Sequence, residues 1–224
     1  MLPPVLLGLT AVAGLTDAVA FLALGHVFTA NMTGNVVFLA LAVAGTSGLS
    51  AARCGAALAA FVAGAVIGGR LATRLSSGLR HRWTGVAFGA EAGLFLAAMA
   101  VAVYYGAGLA NAPAGVYAVI VLTGLAMGIR NATVRKLAVP DLTTTVLTLT
   151  ITGLIADSTL AGGRNPASAR RIASVAAMFA GATLGAYLLR YQIALTLAVC
   201  ALISGVCAVA AYVGIQRSVA IASP

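Results

Sequence analysis

The stretch "GHVFTANMTGN" (Gly25–Asn35) interrupts a long apolar sequence with two Asn, two Thr, two Gly and one His. A helix passing through lipid would leave these polar groups without partners, at a cost of several kcal/mol each. Non-helical backbone is tolerated at membrane depth only where it is buried in protein or lines a watery cavity. The stretch therefore predicts an unwound or re-entrant element inside a membrane protein.

Composition supports a membrane protein built from helices. The 224 residues are 62% hydrophobic and 8% charged, with a mean hydropathy of +1.07. A soluble domain carries about 25% charged residues, so this chain cannot form a water-soluble surface. Runs such as "AALAAFVAGAVIGG" (56–69) lack the polar-apolar alternation of a membrane β-barrel. We therefore expect an all-α, polytopic membrane protein in contact with the lipid bilayer.

Several function classes are disfavoured by the sequence. The net charge of +9 fits basic loops that obey the positive-inside rule, so we expect no nucleic-acid partner. Cys54, Cys200 and Cys207 have no disulfide or metal-ligand spacing. Motifs of zinc hydrolases, serine hydrolases and ATP-binding loops are absent from the sequence. We expect neither an enzyme nor an ATP-driven pump, with no cofactor and no metal.

Loop charges predict the number of membrane crossings. Apolar stretches predict six helices, near 4–24, 54–73, 84–105, 115–130, 172–189 and 192–214. Two shorter apolar pieces lie near 34–46 and 144–156. If both pieces crossed, the basic residues of 70–82 and of 164–171 would lie on opposite sides. Six crossings place every basic cluster inside, with both termini cytoplasmic, so the two short pieces are predicted to be re-entrant.

The sequence also suggests an internal repeat. A shift of 110 residues lays 14–42 over 124–152, and "VAGAVIG" (62–68) lies over "FAGATLG" (179–185) at a slightly larger shift. Three crossings per half would turn the second half upside down, giving repeats at 1–110 and 111–224 within one membrane domain. "VRKLAVPDLTTT" (134–145) is then the second polar break. Inverted repeats with matching breaks are typical of secondary transporters.

The same residues carry a resemblance to a known family. "GLTDAVAFLALGHVFTANMTGN" (14–35), together with "RNATVRKL" (130–137) and "PDLTTTVLT" (140–148), resembles the YoaK-like family of bacterial inner-membrane proteins, a domain of unknown function. The resemblance implies a multi-pass protein of the bacterial inner membrane and implies no reaction. Thr16 departs from the more apolar residue expected before the Asp.

Asp17 is the first candidate functional residue. It lies well inside the first predicted helix, and an acid there must be neutral, paired or hydrated. It is interpreted either as a carboxylate that couples a proton or cation to transport, or as a hydrogen-bonding tie between helices.

The two breaks supply the candidate binding residues. Half-helices beginning at about Asn35 and at Thr143–Thr145 would point their positive ends into the site, with Asp141 or Thr143 as the second N-cap. Two such ends favour an anionic solute. Alternatively, these Asn and Thr side chains only cap helices. The candidate substrate- or ion-binding residues are Asp17, Phe28, Asn31, Thr33, Gly34, Asn35, Arg130, Asp141, Thr143, Thr144 and Thr145.

Three ionisable residues have further or accessory roles to consider. Arg130 is predicted to end its helix, where it is an inside anchor, a neutraliser of an anionic substrate or a partner of Asp17. His26 is a proton relay or an interfacial anchor. Glu91 lines a cavity or bonds across a helix interface, and the glycines around it form a face for close helix packing, namely Gly85, Gly89 and Gly93.

The leading hypothesis is a secondary transporter or facilitator for a small, anionic solute. Its site would lie near the bilayer midplane between two inverted three-helix repeats, in a homodimer. The alternatives are a non-transporting membrane scaffold or sensor, and a passive channel.

Overall fold

The described residues of the chain are all helical or loop, as the composition predicts. The computed structural model describes residues 2–75, 80–138, 147–165 and 167–222. Eight α-helices lie in these ranges: α1 Leu2–Ala23, α2 Met32–Val43, α3 Ala51–Leu75, α4 Arg80–Tyr105, α5 Pro113–Leu137, α6 Leu147–Ala156, α7 Ser168–Leu188 and α8 Ile193–Ala222. Short 3-10 turns follow α4 at Gly106–Asn111 and α6 at Thr159–Ala161.

Six of these helices are long and apolar enough to cross a membrane, namely α1, α3, α4, α5, α7 and α8. α2 and α6 are the two shorter apolar helices. The end of α5 was predicted wrongly. It continues past Arg130 to Leu137, where Ala138 takes a left-handed conformation (φ 49°) and ends it. Residues 134–137 of the predicted second break are therefore helical, because no helix-breaking residue lies between Arg130 and Ala138.

The predicted first break is present between α1 and α2. Residues 24–31 are not helical, and both Gly25 and His26 have positive φ angles, of 93° and 58°. α2 begins at Met32, earlier than the predicted start at Asn35. Asn31 supplies the reason, because its side-chain oxygen accepts a hydrogen bond from Gly34 N–H at 3.3 Å and caps the helix.

The helices pack in matching pairs across the two halves. α1 packs on α7 and α8, and α5 packs on α3 and α4. α2 contacts α3, α6 contacts α7, and α4 packs along α8. Each contact thus has a counterpart in the other half. The counterpart is found by replacing α1, α2, α3 and α4 with α5, α6, α7 and α8, and the reverse.

Small residues bring the pairs together and define their register. A Cβ on Gly14 would overlap the Met178 carbonyl, and a Cβ on Gly128 would overlap the Phe61 carbonyl. Gly14 thus corresponds to Gly128, and the shift of 110 that paired Gly14 with Gly124 was wrong by one helical turn.

The pairing of 62–68 with 179–185 agrees with the contacts. Gly181 packs against Ala11 of α1, and Gly64 packs against Leu125 of α5. Gly64 and Gly181 therefore make corresponding contacts, one with α5 and the other with α1.

The direction of each helix follows from the same contacts. α1 and α7 run parallel, since Gly181 faces Ala11 and Gly185 faces Leu15. α3 and α5 are also parallel, because Gly64 lies on Leu125 and residue 68 lies on residue 129.

The contacts of α8 show that it runs antiparallel to α4 and to α1. α4 and α8 run antiparallel, since Gly85 faces Tyr212 while Glu91 bonds Ser204. α1 and α8 are antiparallel too, because residue 5 contacts residue 207 and residue 16 contacts residue 200.

One predicted packing face is not used within the described part of the chain. Gly85 meets Tyr212, but a Cβ on Gly89 or Gly93 would have no described atom of the protein within 4 Å. These two positions therefore do not mediate close packing among the described helices. Their face of α4 points outward, where composition alone could not distinguish it from an internal face.

Candidate functional site

Asp17 and Asn35 hold the non-helical segment between α1 and α2. The buried Asp17 carboxylate accepts hydrogen bonds through Oδ1 from Thr29 N–H at 3.0 Å and Ala30 N–H at 2.8 Å. Asn35 is fully buried, and it accepts from Phe28 N–H at 2.8 Å and donates to the Phe28 carbonyl. Both side chains thus bind the protein's own backbone, which satisfies groups that lipid could not.

Aromatic rings fix the outer side of this segment. Phe28 stacks on Phe21 and Phe38, with ring centroids 5.5 and 5.3 Å apart. Gly34 lies against the Phe28 ring, where a Cβ would not fit. His26 is exposed, with its ring edge-on to Phe21 at 5.0 Å. Phe28, Gly34 and His26 therefore build the turn itself.

A cavity of about 510 Å³ lies between the start of α2 and helix α6. Asn31, Thr33 and Gly34 line it from α2 and its cap, and Thr148 lines it from α6. Asn131 of α5 lines it as well. Its apolar wall consists of Ala30, Met32, Val37, Phe61, Leu147 and Met178. The cavity thus combines amide and hydroxyl groups with a large apolar surface.

The lining has equivalent members from the two halves. Phe61 and Met178 occupy corresponding places, because they meet Gly128 and Gly14 respectively. Thr33 of α2 and Thr148 of α6 both line the cavity, one from each half. Four predicted residues of the second half lie outside the described residues, namely Asp141, Thr143, Thr144 and Thr145.

Arg130 and Glu91 form a separate buried network. Both side chains are fully buried, and the guanidinium binds both carboxylate oxygens, with Nε–Oε2 at 2.9 Å. Arg130 Nη1 also donates to the Leu9 carbonyl at 2.6 Å, and Ser204 Oγ donates to Glu91 Oε1 at 2.6 Å. The network joins α1, α4, α5 and α8. Arg130 thus pairs with Glu91 rather than with Asp17, and neither member of the pair lines the cavity.

The structure divides the predicted site residues of the first half into two groups. Residues 31, 33 and 34 line the cavity. Asp17, Phe28 and Asn35 support the turn behind it. The second group therefore acts on the cavity through the backbone of the broken segment.

Two lining residues were not selected from the sequence, Asn131 and Thr148. Both lie near the second polar break, but the shift of 110 paired Asp17 with Met127 and residue 33 with residue 143. The contacts of the packing glycines instead pair Asp17 with Asn131. Asn131 can thus be selected only when the two halves are aligned in the correct register, and the contacts in the folded chain give that register.

These features define an all-helical transmembrane protein with a polar cavity at two short helices. A family model described as "Protein of unknown function (DUF1275)" matches residues 5–210, and the chain belongs to that family. The chain is also 33% identical over 145 residues to the UPF0700 transmembrane protein YoaK of Bacillus subtilis (strain 168). That match covers 65% of this chain and 62% of the length of the relative. The predicted YoaK-like family is thereby confirmed. No solved structure matches the chain.

Proposed function

We propose that this protein is a secondary transporter or facilitator for a small anionic solute, with its binding site in the cavity between α2 and α6. The observation that carries the proposal is the cavity of about 510 Å³, lined from both halves by Asn31, Thr33, Asn131 and Thr148. Sites at paired broken helices are the pattern of many secondary transporters.

Helix directions support re-entrant α2 and α6 and an inverted repeat. α1 and α4 are each antiparallel to α8, so they are parallel to each other. A crossing by α2 would make them antiparallel, and a crossing by α6 would make α4 and α8 parallel. With neither crossing, each half has three spans, and the second half enters the membrane in the opposite direction.

Loop charges and the relative support the proposed location. The related YoaK is a bacterial transmembrane protein, and we assign this chain to the bacterial inner membrane. Six crossings place Arg74, Arg135, Lys136, Arg164 and Arg217 on one side. By the positive-inside rule that side is the cytoplasm, which holds both termini.

An anionic solute is favoured by the N-terminus of α2. α2 begins at Met32, which follows the N-cap Asn31 and lines the cavity. A helix places a partial positive charge of about half an elementary charge at its N-terminus, and such ends bind anions.

A ligand screen followed by uptake tests the proposal. Small anions are screened for an increase in the Tm of the detergent-solubilised protein, with a dye that reacts with exposed thiols, since all three cysteines are buried. A stabilising anion is then tested for uptake into proteoliposomes. Asn31→Ala and Thr148→Val should abolish both effects, while Thr73→Val, on the exposed surface of α3, should preserve them. Uptake that survives both cavity variants would contradict the proposal.

A scaffold or sensor and a passive channel are the competing functions. A scaffold would bind no solute in the cavity. A channel would conduct without saturation or counterflow.

We also propose that the protein is a homodimer, in which a second copy of the chain covers the outward face of α4 that carries Gly89 and Gly93. Light scattering of the purified protein tests this proposal.

Asp17 has a second proposed role as the coupling carboxylate. Its hydrogen bonds to the backbone of Thr29 and Ala30 hold it behind the cavity. Asp17→Asn keeps an acceptor at this position, so loss of uptake with an unchanged Tm would support coupling. Uptake that remains ion-coupled in this variant would leave Asp17 with its positioning role alone.

A further inference from the structure

The two halves carry different side chains at one corresponding position. Gly14 corresponds to Gly128 through their equivalent contacts with α7 and α3. Asp17 and Asn131 follow these glycines at equal distances, and each lies the same number of residues before the end of its helix. The first half therefore has an acid where the second half has an amide.

The surroundings of these two residues also differ. Asp17 is buried, accepts two backbone N–H groups and does not line the cavity. Asn131 is half-buried, lines the cavity, and donates one amide hydrogen to the Met127 carbonyl at 2.8 Å. The amide thus stands in the cavity wall, at a position where the other half has a carboxylate.

We propose that Asn131 sets the charge selectivity of the cavity and that its ligand is a small organic monoanion. This inference rests on the proposed function and names the substrate class of that site. In the described part of the chain, no charged side chain lines the cavity. A carboxylate at position 131 would repel an anion bound there, because charges in a partly buried site are weakly screened.

The chemical groups that line the cavity indicate which class of anion binds there. Phosphate and sulfate carry up to two negative charges and their sites usually include Arg or Lys, whereas the described lining supplies amides, hydroxyls and the N-terminus of α2. Phe61, Met32 and Met178 provide an apolar surface beside these groups. A carboxylate on a small apolar body satisfies both parts of the wall.

Four probes of related size or charge test the inference by calorimetric titration of the full-length protein. They are benzoate, its neutral analogue benzamide, its cationic analogue benzylamine, and inorganic phosphate. Benzoate should bind wild type in preference to the others. Asn131→Asp should weaken benzoate binding about 100-fold, and the uncharged variant Asn131→Leu should weaken it much less. Monodisperse elution and the unliganded Tm show that each variant is folded.

The outcomes separate this inference from the proposed function. Equal benzoate affinity in Asn131→Asp and wild type overturns the role of Asn131. Preference for benzamide, benzylamine or phosphate overturns the organic monoanion, while the transport site stands if that binding still requires Asn31 and Thr148. If none of the four probes binds, the organic monoanion is overturned. The proposed site is overturned only if the wider anion screen and the uptake assay also give no result.

Discussion

Among single residues, Asp17 is the side chain on which the broken segment depends. Its carboxylate accepts the N–H groups of Thr29 and Ala30. Asp17→Ala leaves two buried donors without partners, so we expect the free energy of unfolding to fall by about 2–6 kcal/mol. Asp17→Asn should lose less, since it keeps an oxygen acceptor. Thermal unfolding in detergent measures both, and a wild-type Tm in Asp17→Ala would refute this role.

Arg130 and Glu91 give a second prediction for individual side chains. Removing one partner of a buried ion pair leaves an uncompensated charge, which typically costs about 3–5 kcal/mol. Arg130→Met and Glu91→Leu should each unfold at clearly lower temperature, and the double variant should recover part of the loss. Arg135→Met, at an exposed position of the same helix, is the control. Additive losses in the double variant would show that the pair is not coupled.

The sequence identified these residues but not their partners. Asp17, Arg130 and Glu91 stand out because ionisable groups are rare in membrane helices. Pairing Arg130 with Glu91 requires knowing which faces of α4 and α5 meet, and no local pattern contains that information. For the same reason Asn35 was predicted to bind solute, whereas its buried side chain holds Phe28.

Among the helices, glycine contacts set the distance between neighbours. A Cβ on Gly128 would overlap the Phe61 carbonyl, and nothing described lies within 4 Å of a Cβ on Gly89. Gly128→Ala should therefore destabilise the protein by about 1–3 kcal/mol or more. Gly89→Ala should be neutral or slightly stabilising, because Ala is the better helix former. Equal Tm values for the two variants would contradict the packing described for α3 and α5.

The repeat register shows a limit of sequence comparison between helices. Sliding one helix along another by about one turn brings side chains of the same face back into line. In a chain rich in Ala and Leu, chance identities then favour a shift one turn away from the true register. The contacts of Gly14 and Gly128 resolve this ambiguity, because their pairing gives both glycines equivalent neighbours.

The topology of α2 and α6 gives a further prediction. Ser47 follows α2 and Leu160 follows α6, and both are exposed. Ser47→Cys should react with a membrane-impermeant maleimide from the periplasmic side, and Leu160→Cys from the cytoplasmic side. The native cysteines are buried and should give little background. Reaction of both positions from one side would rule out six crossings.

In the fold as a whole, described residues from both halves of the chain line one cavity. The composition predicted the membrane class, and the loop charges predicted the number of crossings. The meeting of α2 and α6 at a common cavity could be inferred only from the repeat, and its lining residues required the folded chain. Thr148 and Asn131 were missed because each is an ordinary polar residue within an apolar helix.

Cross-linking between Thr33→Cys and Thr148→Cys shows whether the two short helices share this cavity. A protease site inserted at the exposed Gly108 allows the two halves to be separated after reaction with a short bismaleimide. Because both positions line one cavity, we expect the halves to stay joined, whereas the control pair Thr33→Cys and Leu160→Cys should separate. Halves that separate although both cysteines accept a single maleimide would contradict a cavity shared by α2 and α6.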